Sequence, residues 1–256
     1  MDEQNIQKET LIQNEETEKS QTQINDKQEK QKETASFSYV LNALIIFGVC
    51  FISCLFVFQI VLKPVDVFGR SMQPTLNASA KGEMYQLDTD IVYYFSTTKV
   101  TNGDIIILKE GLSKKDPTSK LIKRVIATAG QTITLTKNGN SYFDEYYYEY
   151  IPFDVYVDGK LLNENYISKT QTPAFETSNP YHYQHHDTLL NALENEGTYS
   201  ITIPEGQIFV MGDNRCHSTD SRDFGAINIQ DYVMGKVVLH VPFGKNLFQA
   251  IWDAIF

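Results

Sequence analysis

Hydrophobic and polar positions divide the chain into three parts of different character. Residues 1–36 are rich in Gln, Glu, Asn, Thr and Lys and carry few apolar side chains. Residues 37–62 contain no charged side chain. Residues 63–256 alternate short β-branched or aromatic runs with Gly, Pro, Asn and Asp. This pattern predicts a disordered tail, a transmembrane helix and a folded domain, in that order.

The uncharged segment is long enough to cross a bilayer. Its 26 residues, at about 1.5 Å per residue, exceed a hydrocarbon core of about 30 Å. A buried core helix and a cleaved signal peptide fit less well, since a signal peptide has an apolar core of only about 7–15 residues. The nearby cations are Lys27, Lys30 and Lys32 before the segment and Lys63 and Arg70 after it. The slight excess of cations before the segment favours a cytoplasmic N-terminus and an extracytoplasmic domain at the cell membrane.

The folded domain is expected to be mainly β, an antiparallel sheet with an inserted cap at about 142–198. Eight short segments have the composition of strands. They are Asp90–Phe95, Gly103–Lys109, Lys120–Ala129, Gln131–Thr136, Phe153–Leu162, Tyr199–Ile203, Gly206–Asp213 and Val233–Val241. Asp-Gly within Val157–Lys160 predicts a hairpin turn. No long amphipathic helix is predicted before 243–256, where apolar residues form a helical stripe.

Charge and cysteine content narrow the class of protein. The net charge of -10 argues against nucleic-acid binding, which needs clustered Lys and Arg. Cys50 and Cys54 lie in the apolar segment, and Cys216 is the only cysteine after it. An intramolecular disulfide within the folded domain is therefore impossible, and packing alone must stabilise it. The histidines at 181–187 are interpreted as a surface loop, with metal binding as a less favoured alternative.

A serine close to the apolar segment is the first candidate for chemistry. Ser71 lies in VFGRSMQPTL, which begins five residues after Leu62. A turn would explain the Gly, Ser and Pro residues, but a nucleophile near the bilayer surface would also explain the serine. A nucleophilic serine needs a base, and a lysine serves if desolvation lowers its pKa. Lys123 lies within the strand-like run LIKRVIA. By itself, this pattern favours an edge-strand lysine whose ammonium reaches water.

A third polar segment is GDNRCHSTDSRDFG at Gly212–Gly225. It combines carboxylates, guanidiniums and hydroxyls, which suits a solvated loop or a rigid platform of ion pairs. Within it, Cys216 and His217 suggest a Cys–His protease, but neighbouring residues of an extended chain point in opposite directions and no third member is evident.

The order of GRSMQPTL, GDIIILK, KRVIATAG and GDNRCHSTDSRDFG after one apolar segment resembles the type I signal peptidases, which are membrane-bound Ser–Lys proteases. The resemblance covers about 37–241. It implies Ser71 as nucleophile and Lys123 as general base. It implies that Ser218 orients the lysine, that Asp220 and Arg222 form a supporting ion pair, and that Asp213, Asn214 and Arg215 begin the same block. Shallow substrate pockets are implied at Val65, Val67, Met72, Leu76 and Ile122.

The resemblance further implies signal-peptide-bearing preproteins and the lipid bilayer as partners, without a cofactor or metal. Gly69 departs from family members that carry a hydroxyl at the oxyanion site. Three alternatives remain open. One is a self-cleaving repressor of the SOS response, which is a soluble protein with a DNA-binding region. The second is an inactive anchored binding protein, and the third is a membrane protease with a dedicated substrate set.

Overall fold

A computed structural model describes residues 38–56, 62–78, 90–168, 172–178, 180–181 and 183–255. The chain divides into two units, Met1–Ile60 and Val61–Phe256. In the first, helix α1 (Ser38–Phe56) is long and apolar enough to cross a membrane by length and composition. The predicted tail and the predicted span residues 37 and 57–61 lie outside the described residues, and Leu62 is not helical.

The second unit consists mainly of β-strands. The strands are β1 (Lys63–Asp66), β2 (Ile91–Phe95), β3 (Ile105–Leu108), β4 (Leu121–Thr128), β5 (Thr132–Lys137), β6 (Tyr142–Phe143), β7 (Glu149–Val157), β8 (Lys160–Leu161), β9 (Ala174–Glu176), β10 (Thr198–Thr202), β11 (Gln207–Met211), β12 (Ile227–Asn228) and β13 (Val233–Val241). The helices are α2 (Gln184–Asn195), α3 (Ser221–Phe224), α4 (Ile229–Tyr232) and α5 (Leu247–Ile255). The predicted mainly β fold is confirmed.

Two antiparallel sheets form the unit. The first has the order β1-β2-β13-β3-β4-β11-β12, and the second contains β5, β6, β7 and β10, with β8 and β9 paired to β7. The second sheet is inserted in the chain between β4 and β11, so it extends beyond the predicted cap at 142–198. The hairpin between β7 and β8 turns at Asp158 and Gly159, which both have positive φ, as the Asp-Gly pair predicted.

Helix α2 contradicts two predictions, the surface histidine loop and the absence of a long amphipathic helix before 243–256. Its 12 residues begin at Gln184, and His186, Leu189 and Leu193 are buried. These three positions follow helical spacing, and both leucines belong to the core cluster that also contains β4 and β11 residues. The helix therefore joins the inserted sheet to the first sheet. The C-terminal apolar stripe forms α5, as predicted.

Three core clusters support the unit, and one of them surrounds the start of the first sheet. Its buried members are Val67, Met72, Leu76, Val92, Tyr94 and Ile107, with Val65, Ile105, Ile122, Met234 and Val237 packed against them. This cluster, called the entry cluster below, contains all five residues predicted to line substrate pockets. It joins the loop around Ser71 to strand β4, because Met72 and Leu76 come from the loop and Ile122 from the strand.

Candidate active site

The structure brings Ser71 and Lys123 into direct contact although 52 positions separate them in the chain. Lys123 Nζ lies 3.1 Å from Ser71 Oγ and 2.9 Å from the Ile122 carbonyl oxygen, to which it donates. The alternative of an edge-strand lysine is wrong, because β4 lies between β3 and β11. Only 2 % of Lys123 is exposed, so its amine does not reach bulk water.

Burial changes the acid–base behaviour of this lysine. It lowers the pKa of Lys123 from 10.5 to about 8, because desolvation disfavours the ammonium form. Asp220, Asp223 and Asp213 oppose the shift by raising the pKa, while Arg222 reinforces it. Desolvation is the largest effect. About a tenth of the amine is therefore neutral at pH 7, within hydrogen-bond distance of a hydroxyl.

The loop that carries Ser71 is fixed by contacts with two other segments. The Ser71 carbonyl accepts a hydrogen bond of 3.0 Å from the Asn214 N–H. Asn77 Nδ2 donates to the carbonyls of Val67 and Gly69, at 2.7 and 3.0 Å. The buried Asp90 carboxylate in turn accepts from the Asn77 N–H. Sequence reasoning missed Asn77 and Asp90, because no motif marks them. The positive φ of Asn77, which asparagine tolerates, is visible only in the folded chain.

Asp220 and Arg222 form a buried, bidentate ion pair. Both Arg222 Nε and Nη2 donate to the Asp220 carboxylate at 2.8 Å. Arg222 Nη1 donates to the Arg215 and Ala174 carbonyls, so the guanidinium joins three segments. Burial raises the pKa of Asp220, but the Arg222 charge and its hydrogen bonds outweigh this effect and lower the pKa overall. The pair is thus fully charged and rigid at neutral pH.

The residues at the start of the same block have different partners. Asp213 accepts two hydrogen bonds from Arg124, at 2.8 and 2.6 Å, and one from Thr75. Arg215 pairs with Glu164 and donates from Nε to the Gly212 carbonyl. Arg124, Thr75 and Glu164 were not among the predicted site residues. Their contribution depends on tertiary contacts that their sequence positions do not reveal.

The Ser218 residue is partly exposed, but its hydroxyl oxygen is buried, and its contacts differ from the expectation that it orients Lys123. In the described part of the chain, the Lys123 amine donates to Ser71 and Ile122. Ser218 Oγ forms no hydrogen bond of normal geometry there, although its hydroxyl helps to lower the pKa of Asp220. The Ser218 side chain and the Ser71 carbonyl both lie against Gly212, where an added Cβ would collide with each of them. Ser218 therefore lies against the catalytic loop, and its role in orienting Lys123 stays a prediction.

Comparison with known proteins identifies the family of the chain. Residues 36–241 match the family model of signal peptidase, peptidase S26. Signal peptidase I P of Bacillus subtilis subsp. natto is 30% identical over 218 residues, which cover 85% of this chain and 95% of the relative. Signal peptidase IB of Staphylococcus aureus (strain COL) is 30% identical over 201 residues, covering 77% and 87%.

A solved structure gives a further comparison. The crystal structure of a signal peptidase I from Enterococcus faecalis V583 is 28% identical, with a TM-score of 0.33, and covers 55% of this chain and 97% of that one. The family match spans most of the sequence, including Ser71, Lys123 and the whole 212–225 block. The chain therefore belongs to the signal peptidase family, peptidase S26, whose members remove signal peptides as serine proteases.

Proposed function

We propose that the chain cleaves signal peptides from exported preproteins with Ser71 as nucleophile and Lys123 as general base, while α1 anchors it in the cell membrane. The observation that carries this proposal is the 3.1 Å contact between Lys123 Nζ and Ser71 Oγ within a buried site. A serine hydroxyl is a weak nucleophile until an adjacent base accepts its proton. The lowered pKa of Lys123 supplies that base at physiological pH.

In the first step, the neutral amine accepts the Ser71 proton as Oγ attacks the carbonyl carbon before the cleaved bond. In the neutral amine, one N–H donates to the Ile122 carbonyl, and the lone pair is free to accept the proton of the Ser71 hydroxyl 3.1 Å away. The ammonium formed then gives its proton to the leaving amine, which departs as the new N-terminus of the mature protein. Water hydrolyses the resulting ester, with Lys123 again as base. The Ser71 N–H is the oxyanion donor in this scheme, without help from a hydroxyl at Gly69.

The substrate is proposed to bind as an extended strand beside residues 65–69. Strand β1 ends the order of the first sheet, and the described strands pair it with β2 alone. Its other edge is therefore available for main-chain hydrogen bonds, a common mode of peptide recognition. In the entry cluster, Val67, Met72 and Leu76 are almost fully buried, whereas Val65 and Ile122 are partly exposed. We propose that these side chains line shallow pockets that suit small side chains at the first and third positions before the cut.

Mass analysis of the products tests this substrate assignment. The detergent-solubilised full chain is incubated with a range of labelled preproteins, each carrying a different signal peptide. We expect one internal cut per preprotein, at the end of the signal peptide, after a small residue with another small residue two positions earlier. Ser71→Ala protein prepared in the same way is the control for contaminating proteases. Cuts throughout the mature sequence would contradict the proposal, and cleavage of only one preprotein would favour the dedicated substrate set.

Protease protection tests the proposed topology. In intact bacterial protoplasts that express the full chain, added protease should digest the part beyond Leu62 and spare residues 1–36. The reason is the cation bias before the apolar segment, which favours a cytoplasmic tail. Immunoblots with tags at each end measure both outcomes. Detergent should make the tail digestible too, and loss of the tail alone in intact protoplasts would overturn the orientation.

A further inference from the structure

Helix α2 brings a buried histidine against the platform that supports the active site. His186 is 2 % exposed, and its Nδ1 lies 3.1 Å from Asp223 Oδ1. Its Nε2 lies 3.4 Å from the Thr177 carbonyl oxygen, and its ring packs on Phe175 with centroids 4.5 Å apart. The imidazole is thus held on three sides, so the position of its Nδ1 is well defined relative to α3.

Asp223 also contacts Asp220, so the position of Asp223 affects that of Asp220. Its second carboxylate oxygen accepts a hydrogen bond of 3.0 Å from the Asp220 N–H, and the Asp220 side chain caps the helix in return. This reciprocal capping box fixes the first turn of α3. One Asp223 oxygen therefore faces His186 and the other faces the residue that pairs with Arg222.

Asp220 then contacts the loop beside the nucleophile. Its Oδ2 accepts a hydrogen bond of 2.9 Å from the Gly212 N–H. Gly212 has no room for a Cβ because the Ser71 carbonyl and the Ser218 side chain lie against it. A shift of Asp220 is therefore transmitted to Ser71 through closely packed backbone. A displacement of about 1 Å in a catalytic group is enough to cost roughly 10²-fold in rate.

We propose that His186 is a positioning residue of the active site: its hydrogen bond to Asp223 fixes the start of α3 and, through Asp220 and Gly212, the alignment of Ser71 with Lys123. This inference rests on the proposed Ser71–Lys123 mechanism. Asp223 is also one of the carboxylates that raise the pKa of Lys123. Titratable groups that interact with Lys123 also include Asp220, Arg222 and Asp213, and those that interact with His186 include Asp223, Glu176 and His185.

Steady-state kinetics of the detergent-solubilised full chain test the hydrogen bond between His186 and Asp223. His186→Leu is expected to lower kcat at least about tenfold and to change KM less than about twofold. The reason is that it disturbs the alignment of Ser71 with Lys123 and leaves the proposed substrate-binding residues 65–69 unchanged. His186→Asn is expected to keep kcat within about threefold, since its amide nitrogen occupies the Nδ1 position. His186→Gln places a donor near the Nε2 position instead and is expected to resemble the leucine variant.

His185→Leu is the matched control. His185 lies on the same helix, but its Nε2 faces the Tyr199 hydroxyl at 3.3 Å instead of a carboxylate of α3. We expect its kcat to match that of the unmodified chain. If His186→Leu does not fold, as judged by thermal melting, the comparison between His186→Asn and His186→Gln decides. Equal kcat in all His186 variants, or equal loss in Asn and Gln variants, would overturn the proposal.

The pH profile measures the charge coupling between Asp223 and Lys123. Asp223→Asn keeps an acceptor for the Asp220 N–H but removes a negative charge that raises the pKa of Lys123. The apparent pKa of kcat/KM should therefore move down in this variant, and an unchanged value would count against coupling between Asp223 and the lysine. Activity in Lys123→Ala would instead refute the dyad itself. An inactive Lys123→Ala together with a fully active His186→Leu would refute only the positioning role.

Discussion

Replacement of Ser71 by alanine, or of Lys123 by alanine, is expected to lower kcat for preprotein cleavage by more than about 10³-fold. Ser71→Ala removes the atom that forms the acyl intermediate. Lys123→Ala removes the group 3.1 Å away that accepts the hydroxyl proton. Single-turnover cleavage of a labelled preprotein measures both losses. The double variant should be only slightly less active than either single variant, because the two side chains act as one unit.

Two neighbouring residues provide matched controls for these changes. Ser119→Ala and Lys120→Ala remove the same functional groups just before β4. Lys120 is exposed there, and Ser119 Oγ donates to the nearby Asp116 carbonyl. Both should keep full activity. Circular dichroism and thermal melting should show that all variants remain folded. Cleavage at the normal site with near-normal kcat in Ser71→Ala or Lys123→Ala would rule out the proposed dyad.

The sequence predicts the strands of this fold far better than its helix α2. All eight predicted segments contain strands, because β-branched runs bounded by turn residues are distinctive. Helix α2 was missed because its buried face is partly polar. His186 occupies a core position beside Leu189 and Leu193, so the apolar periodicity is interrupted where the helix begins. The hydrogen bond with Asp223 offsets the free-energy cost of burying a polar imidazole at that position.

The sequence predicted which residues form the candidate site better than it predicted the contacts between them. The resemblance of the motif order to the type I signal peptidases identified Ser71, Lys123 and the 212–225 block, whereas the lysine in its apolar run favoured an edge strand by itself. Asn77 and Asp90 were not predicted as site residues, because their roles depend on hydrogen bonds within the loop that form only in the folded chain. Similarly, the interior position of β4 in the sheet is a non-local property. It is this position that buries Lys123 and lowers its pKa.

The pH dependence of cleavage follows from that burial. Neutral Lys123 is the active form, and its fraction rises as pH increases through the pKa of about 8. For one ionisation, kcat/KM should rise about fivefold from pH 7 to 8 and less than about twofold from pH 8 to 9. Because the pKa is lower in the folded state than the ordinary 10.5, the unfolded chain binds more protons between these values. The contribution of Lys123 to the free energy of unfolding therefore increases as pH rises across that window. Its deprotonation does not unfold the enzyme at alkaline pH, so it does not lower the rate there.

Lys123→Arg separates basicity from positive charge. A guanidinium stays protonated at any pH at which the enzyme is folded, so this variant keeps a cation in the site but has no base. We expect no cleavage between pH 6 and 10, with kcat reduced as far as in Lys123→Ala. Lys123→Met, which keeps the approximate length without charge, should be equally inactive and controls for the larger arginine side chain. Measurable activity of Lys123→Arg at neutral pH would contradict lysine as the base. So would a wild-type rate that falls steadily from pH 6 to 9 while the enzyme remains folded.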